Sequence, residues 1–262
     1  MTYFLACAGT FLFFYILNTF YITVLYHRGL THGAVDLRPR LRRFVVRTGN
    51  WVTGIDPKGW ACMHRLHHLH SDTRLDPHSP SNEGVLGVFF KQHRSLERVL
   101  AGLLTNHPRY TSVVSDLDFP VHWLNRKRMW WLPLAIYSLV AVSLGLITGA
   151  WLLAVAFLFG MMTHPVQGWM VNSFGHRFGY RNFDLADDSR NNTMVAWLVV
   201  GEGYQNNHHA DPSAAKFSKR WFEVDMGYGL CVLAQRLGLL TIPPARREES
   251  LRPTGRTGTH RL

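Results

Sequence analysis

Two stretches of this chain carry no charged side chain, and they limit its fold more than any other feature. Met1–Tyr26 holds no Asp, Glu, Lys or Arg, and neither does the segment between Arg128 and Arg177. A helix needs about 20 predominantly apolar residues to cross a bilayer. The first stretch therefore predicts one span, over residues 3–26. The second predicts two, over 129–148 and 150–176, with Gly149 at the turn between them. A cleaved secretion signal is the weaker reading of the N-terminus. It has no basic n-region, and its apolar run is longer than the roughly 7–15 residues of an h-region. The second stretch could also be a buried hairpin of a soluble protein, but such helices are seldom so free of charge.

The formal net charge is +11. Much of the excess sits at the ends of the expected spans: Arg28, Arg38, Arg40, Arg42, Arg43 and Arg47, then Arg126, Lys127 and Arg128, then Arg177 and Arg181. The positive-inside rule makes these segments cytoplasmic and the N-terminus external. A high isoelectric point also suits nucleic-acid binding, but a chain buried in lipid argues against it. Anionic headgroups, or an acidic substrate or donor, are the expected partners. Cys7, Cys62 and Cys231 are isolated and odd in number, so they read as small packing residues rather than a disulfide framework. Between the spans the pattern predicts a helix over 59–70, a loop over 71–84 and an interfacial helix over 85–104. A polar loop follows the last span at 184–193. After it come a helix over 194–209, an amphipathic helix over 222–240 and a disordered basic tail from Ala245.

The fifteen histidines are clustered. His64, His67 and His68 stand at i, i+3 and i+4, which on a helix puts three imidazoles on one face, aimed at one point. His27 and His32 are five apart, an offset that an ideal α-helix splays by roughly 140°. They are expected where the first span unwinds and can serve different metals. Asn172 and His176 stand at i, i+4 at the end of the third span. His208 and His209 form the last pair, and Gln205 stands to them as His64 stands to His67 and His68. Imidazole suits Fe, Zn and Cu. Eight imidazoles exceed the four of a zinc site and the six of an octahedral ion, so two metals are expected. His70, His78, His93, His107, His122, His164 and His260 fall outside the pattern and are read as non-ligands.

These motifs resemble the membrane-bound fatty acyl desaturase family of the stearoyl-CoA Δ9 type. His27-Arg-Gly-Leu-Thr-His32 resembles its HxxxxH box and His64-Arg-Leu-His-His68 its HxxHH box, with Ser71-Asp-Thr and Asp76-Pro-His-Ser-Pro80 following in register. Val171-Asn-Ser-Phe-Gly-His176 resembles its NSxxH segment. Asp187–Asn192 and Gly201–His209 resemble the approach to its third box. The likeness covers roughly residues 20–240 in motif order.

The resemblance implies a di-iron centre that uses O2 to remove two hydrogens from a saturated acyl chain. His27, His32, His64, His67, His68, His176, His208 and His209 would be the ligands, Asn172 would act through water and Gln205 would be a weak or indirect ligand. It implies that Trp60 and Trp169 wall a substrate tunnel. The substrate would be an acyl-CoA, acyl-lipid or acyl carrier protein ester. A separate electron donor of ferredoxin, rubredoxin or cytochrome b5 type would supply electrons.

The sequence departs from the pattern at three points. Gln205 replaces the first His of the third box. Gly54 and Gly168 stand where the family's animal members carry Gln and Thr. One span, rather than two, precedes the first box. The expectation is an all-α integral membrane protein, a single domain over 1–262. A bundle of about three spans would be capped by a cytoplasmic helical domain holding the metals, in a bacterial inner membrane with the site facing the cytoplasm. Hydroxylation on the same scaffold, or a metal-binding relative without catalysis, are the alternatives.

Overall fold

The computed structural model describes residues 1–244, so the basic tail and His260 lie outside the described residues. Charge-free sequence gives α1 (Thr2–Phe20), which continues without a break into a π-helical segment, Tyr21–Thr31. Together these form one helix long and apolar enough to cross a membrane. Between it and the next apolar helix lie α2 (Pro39–Thr53), α3 (Pro57–His70), α4 (Pro80–Leu104) and two single turns, α5 (Pro108–Thr111) and α6 (Trp123–Arg126). Several starts are fixed by local chemistry. Asp56 caps α3 by accepting from the backbone N–H groups of Lys58 and Gly59. Ser79 caps α4 by accepting from Ser81, and a proline follows each cap, where its missing N–H costs nothing.

The second charge-free stretch departs from two straight spans. α7 (Leu132–Thr148) ends at Gly149, whose φ of 68° gives the left-handed cap a glycine takes without strain. The return leg is broken into α8 (Trp151–Met161) and α9 (His164–Phe174), bent by 47°. Pro165, in the first turn of α9, cannot donate the backbone hydrogen bond that would carry one helix through. α8 packs on α1, where Gly160 allows close approach: a Cβ there would lie 2.9 Å from both the Phe11 carbonyl oxygen and the Phe14 Cβ. Asn18 joins three elements there by donating to the carbonyls of Val52 and Met161.

The expected helix over 194–209 is likewise two, α10 (Thr193–Leu198) and α11 (Gln205–Ala210), parted by Val200 and Gly201 at positive φ. α12 (Met226–Arg236) follows. Among the described residues the named elements are helices except for a two-residue antiparallel ladder, β1 (Asp36–Leu37) with β2 (Leu240–Thr241), and loops over 175–192 and 211–225 join the last helices. The core gathers Leu25 and Tyr26 of the π segment, Trp60 and Leu66 of α3, Val99 of α4 and Cys231 of α12. All three cysteines are buried and unpaired.

Candidate metal centre

The π segment resolves the His27–His32 spacing. Its bonds run from residue i to i+5, so residues five apart lie on one face. The His32 N–H donates to the His27 carbonyl at 3.1 Å, and the two rings sit 5.0 Å apart. The expectation that they serve different metals is corrected: both belong to one group with His64, His68 and His208. The triple at 64–68 is corrected in the opposite sense. His64 and His68, one helical turn apart, join that first group, while His67 turns to a second group with His176 and His209. Positions i and i+3 lie on the same side of a helix without pointing along one line, and two centres side by side use that angle. His208 and His209 divide between the groups in the same way.

In the first group the Nε2 atom of His208 lies 2.9 Å from those of His27 and His68, and His68 lies 3.0 Å from His64. Nitrogens about 2.1 Å from one ion stand about 3.0 Å apart at right angles and about 3.4 Å apart in a tetrahedron. The spacing therefore matches an octahedral edge. Five imidazoles in one group also exceed a tetrahedral zinc site. In the second group the Nε2 atoms of His67, His176 and His209 are all buried without a hydrogen-bond partner. Orphaned buried nitrogens turned toward one another are what a bound cation would satisfy.

Four carboxylates fix these rings from behind. His27 donates through Nδ1 to Glu202 at 2.6 Å, His67 to Asp76 at 2.9 Å, His176 to Asp72 at 2.8 Å and His209 to Asp187 at 2.7 Å. With the proton on Nδ1, the Nε2 lone pair points inward, the arrangement that orients a metal-binding imidazole. Burial, reinforced by neighbouring imidazoles, holds His64, His68 and His208 well below the usual histidine range. Burial also takes His209 down to about 4, against the pull of Asp187. Burial would raise Asp72, but the bond from His176 and its other donors bring it down to about 2. For His64, His68, His208 and His209 the neutral ring, and for Asp72 the ionised carboxylate, are the forms a metal requires.

Arg28, adjacent to His27, is fully buried. It donates to Glu202 and, at 3.2 and 3.3 Å, to Asp225, and its guanidinium lies 3.7 Å from the centre of the Phe217 ring. The sequence reading missed Glu202 and Arg28 as positioning groups, and gave the three aspartates no role of their own. It also set His78 aside. His78 is buried with neither ring nitrogen partnered, stacks 4.8 Å from His67, and forms a further candidate group with His67 and Asp76.

A cavity of about 60 Å3 opens beside the first group, lined by Ile22, Trp60, Met63, His64, Asn172 and Gln205 among others. Trp60 stacks on His64 at 4.9 Å, as a wall next to a metal centre would. Trp169 is not among the residues lining this cavity. Its indole donates to the Val85 carbonyl, and its ring packs against Phe89 and Phe174. Gln205 points its amide N–H at the Glu202 carbonyl and leaves Oε1 buried and unpartnered. Its side chain packs against Gly175, next to His176, where a Cβ would come within 2.6 Å of Gln205 Cγ. His176 itself lies just past the end of α9 rather than on it.

The chain is similar to known proteins over most of its length. Residues 3–224 match the family model described as fatty acid desaturase. The chain is 35% identical over 234 residues to an sn-1 stearoyl-lipid 9-desaturase of Anabaena variabilis, covering 88% of this chain and 80% of that protein. It is 35% identical over 203 residues to a hex-5-enoyl-[acyl-carrier protein] acetylenase of Moorena producens, covering 73% of this chain and 63% of that protein. With an acyl-CoA 5-desaturase of Anemone leveillei the identity is 32% over 227 residues, covering 86% and 68%.

Proposed function

The chain belongs to the fatty acid desaturase family, and from that premise we propose that its histidines hold two irons that serve O2-dependent desaturation of a fatty acyl chain. As a family member it is an oxidoreductase acting on fatty acyl substrates. The observation that carries the fuller reading is the pairing of two imidazole groups, five rings and three, beside a cavity walled by Trp60. His27, His32, His64, His68 and His208 hold one iron; His67, His176 and His209 hold the other. Gln205 Oε1 and Asn172, through water, complete the second. Bound iron supplies the oxygen activation that no side chain can perform.

The protein's own share is position and exclusion of water. Trp60 and Met63 press an apolar chain toward the rings. Glu202, Asp72, Asp76 and Asp187 hold the protons of His27, His176, His67 and His209 outward, so the inward nitrogens of those four rings are lone pairs. Three spans in a bilayer fit the surface of α1, α7 and α8, which exposes Phe4, Phe13, Leu139, Leu146, Ile147 and Phe159. α7 is about 26 Å long at 1.5 Å per residue, a little short of a hydrocarbon core of about 30 Å. Exposed Trp130, Trp131 and Trp151 at its ends suit the headgroup level. The active side then faces the cytoplasm, and a separate protein of ferredoxin, rubredoxin or cytochrome b5 type delivers electrons.

The test is expression in a host of defined lipid profile, with mass spectrometry of the acyl chains and elemental analysis of the purified protein. New double bonds and two irons per chain are expected. A single reproducible metal, or an unchanged lipid profile in a host with competent donors, would overturn the reading.

A further inference from the structure

The cavity beside the metal centre continues from Trp60 and His64 to Gln92, His164 and Gln167. This extension is polar where a plain hydrocarbon chain would call for apolar walls. Gln167 is 3% exposed; its Nε2 donates to the hydroxyls of Thr19 and Thr163, and its Oε1 is buried with no partner. His164, one helical turn earlier on α9, is 7% exposed, and its Nδ1 also has no partner. Gln92 of α4 donates through Nε2 to the Pro165 carbonyl, and its amide oxygen faces Gly168, where a Cβ would come within 3.1 Å of it. The absence of a side chain at Gly168 thus leaves room for the Gln92 amide. An unpaired buried acceptor costs stability, and polar groups at membrane depth are rare outside functional sites. Three polar side chains from two helices, two of them with a buried unpartnered atom, converge on one cavity.

We propose that this extension recognises an acyl chain carrying a hydroxyl group, placed a few carbons from those that pass His27 and His64. The hydroxyl donates to the Gln167 or Gln92 amide oxygen, and its own oxygen accepts from a His164 N–H. This rests on the fatty acyl desaturase reading and deepens it by naming the substrate class. The chain's carbons still pack on Ile22, Trp60 and Met63. The added selectivity comes from the polar groups, which a hydroxyl satisfies and a methylene leaves unpaired.

The experiment uses the full-length protein in detergent, with octadecanoate and a positional series of monohydroxylated octadecanoates competing against a fluorescent fatty acid. The same acids are fed to an expressing host, and products are read by mass spectrometry. At least one hydroxylated isomer should bind about three- to tenfold more tightly than octadecanoate, the worth of roughly one net hydrogen bond. Gln167→Leu and His164→Leu should each reverse that preference. Octadecanoate binding as tightly as every isomer in the unaltered protein would overturn the inference and leave ordered water as the occupant; this arm needs no variant to fold. Selective binding of an isomer with no double bond formed in any chain would support the inference while removing the desaturase reading. Desaturation of octadecanoate without selectivity would do the reverse.

Discussion

Glu202→Gln tests whether the carboxylates behind the rings set the metal centre. Glu202 is 5% exposed and serves three donors at once: His27 through one oxygen at 2.6 Å, and Arg28 and Thr23 through the other. An amide of the same shape has one acceptor oxygen and one NH2. If the NH2 faces His27, Nδ1 must accept, and the ring proton moves to Nε2. The lone pair that lies 2.9 Å from His208 Nε2 is then lost to any metal. If the NH2 faces Arg28, a donor meets a fully buried guanidinium whose remaining carboxylate partner is Asp225, at 3.2 and 3.3 Å. Changing a group that orients a metal-bound His costs about 10–100-fold in metal affinity. Removing one partner of a buried ion pair costs about 3–5 kcal/mol; the surviving Asp225 contact places Arg28 at the low end. Iron retention is measured by chelator titration of the detergent-purified protein, and stability by thermal unfolding of its metal-free form. Both should fall. Unchanged iron affinity beside a lowered unfolding temperature would show that Glu202 serves Arg28 only, and the tautomer argument for His27 would be refuted.

Three further changes probe the divided centre. His208→Ala should remove the iron of the first group and His67→Ala that of the second, so elemental analysis should find each variant short of one metal; loss of both metals in each would mean that the groups are not separate. Gln205→His should tighten iron retention by putting a fourth imidazole beside His176, and Gln205→Ala should weaken it by no more than about 10–100-fold; equal retention in both variants would remove Gln205 from the second group. Gly102→Ala should destabilise the protein by about 1–3 kcal/mol through overpacking, because its Cβ would fall within 2.1 Å of the Tyr110 ring; an unchanged unfolding temperature would contradict the close packing of α4 against α5.

What was legible in the sequence is what local periodicity controls. Charge-free runs mark α1, α7 and the α8–α9 pair, and the helix carrying His64, His67 and His68 is plain from its spacing. The break between α8 and α9 had a visible signal in Pro165, outweighed by the uniform hydropathy around it. The gap between α10 and α11 had Gly201 and Gly203 to announce it. The division of the histidines was not legible, because it depends on the angle at which α3, α11 and the π segment meet. The π segment itself turns the least helical spacing, five residues, into a shared face. Only a buried setting reveals it: Arg28, inside that segment, donates back to the Thr23 carbonyl at 3.0 Å and out to Glu202. The carboxylates were visible as residues, yet nothing in spacing says that Asp187, twenty-two positions away, stands behind His209.

Those carboxylates bear on what removing the metal should do. In the first group three pairs of Nε2 atoms stand 2.9–3.0 Å apart. Glu202 holds the His27 proton on Nδ1, so at the His27–His208 pair a lone pair is turned on a neighbouring nitrogen; the pair is comfortable only if His208 carries its proton on Nε2 or an ion sits between them. The second group has no such relief, since Asp76, Asp72 and Asp187 hold all three protons outward and leave three lone pairs buried without donors. Each unsatisfied buried acceptor costs about 1–3 kcal/mol. Metal binding to the folded state removes that cost and adds its own free energy, so the two are coupled. Stripping iron with a chelator should therefore lower the unfolding temperature of the wild-type protein. It should lower it far less in a variant whose second group is already emptied of acceptors, His67→Leu with His209→Leu. If iron removal left the wild-type unfolding temperature unchanged, the inward nitrogens would already be satisfied by protons or water, and the carboxylates would not be holding the site open for a metal.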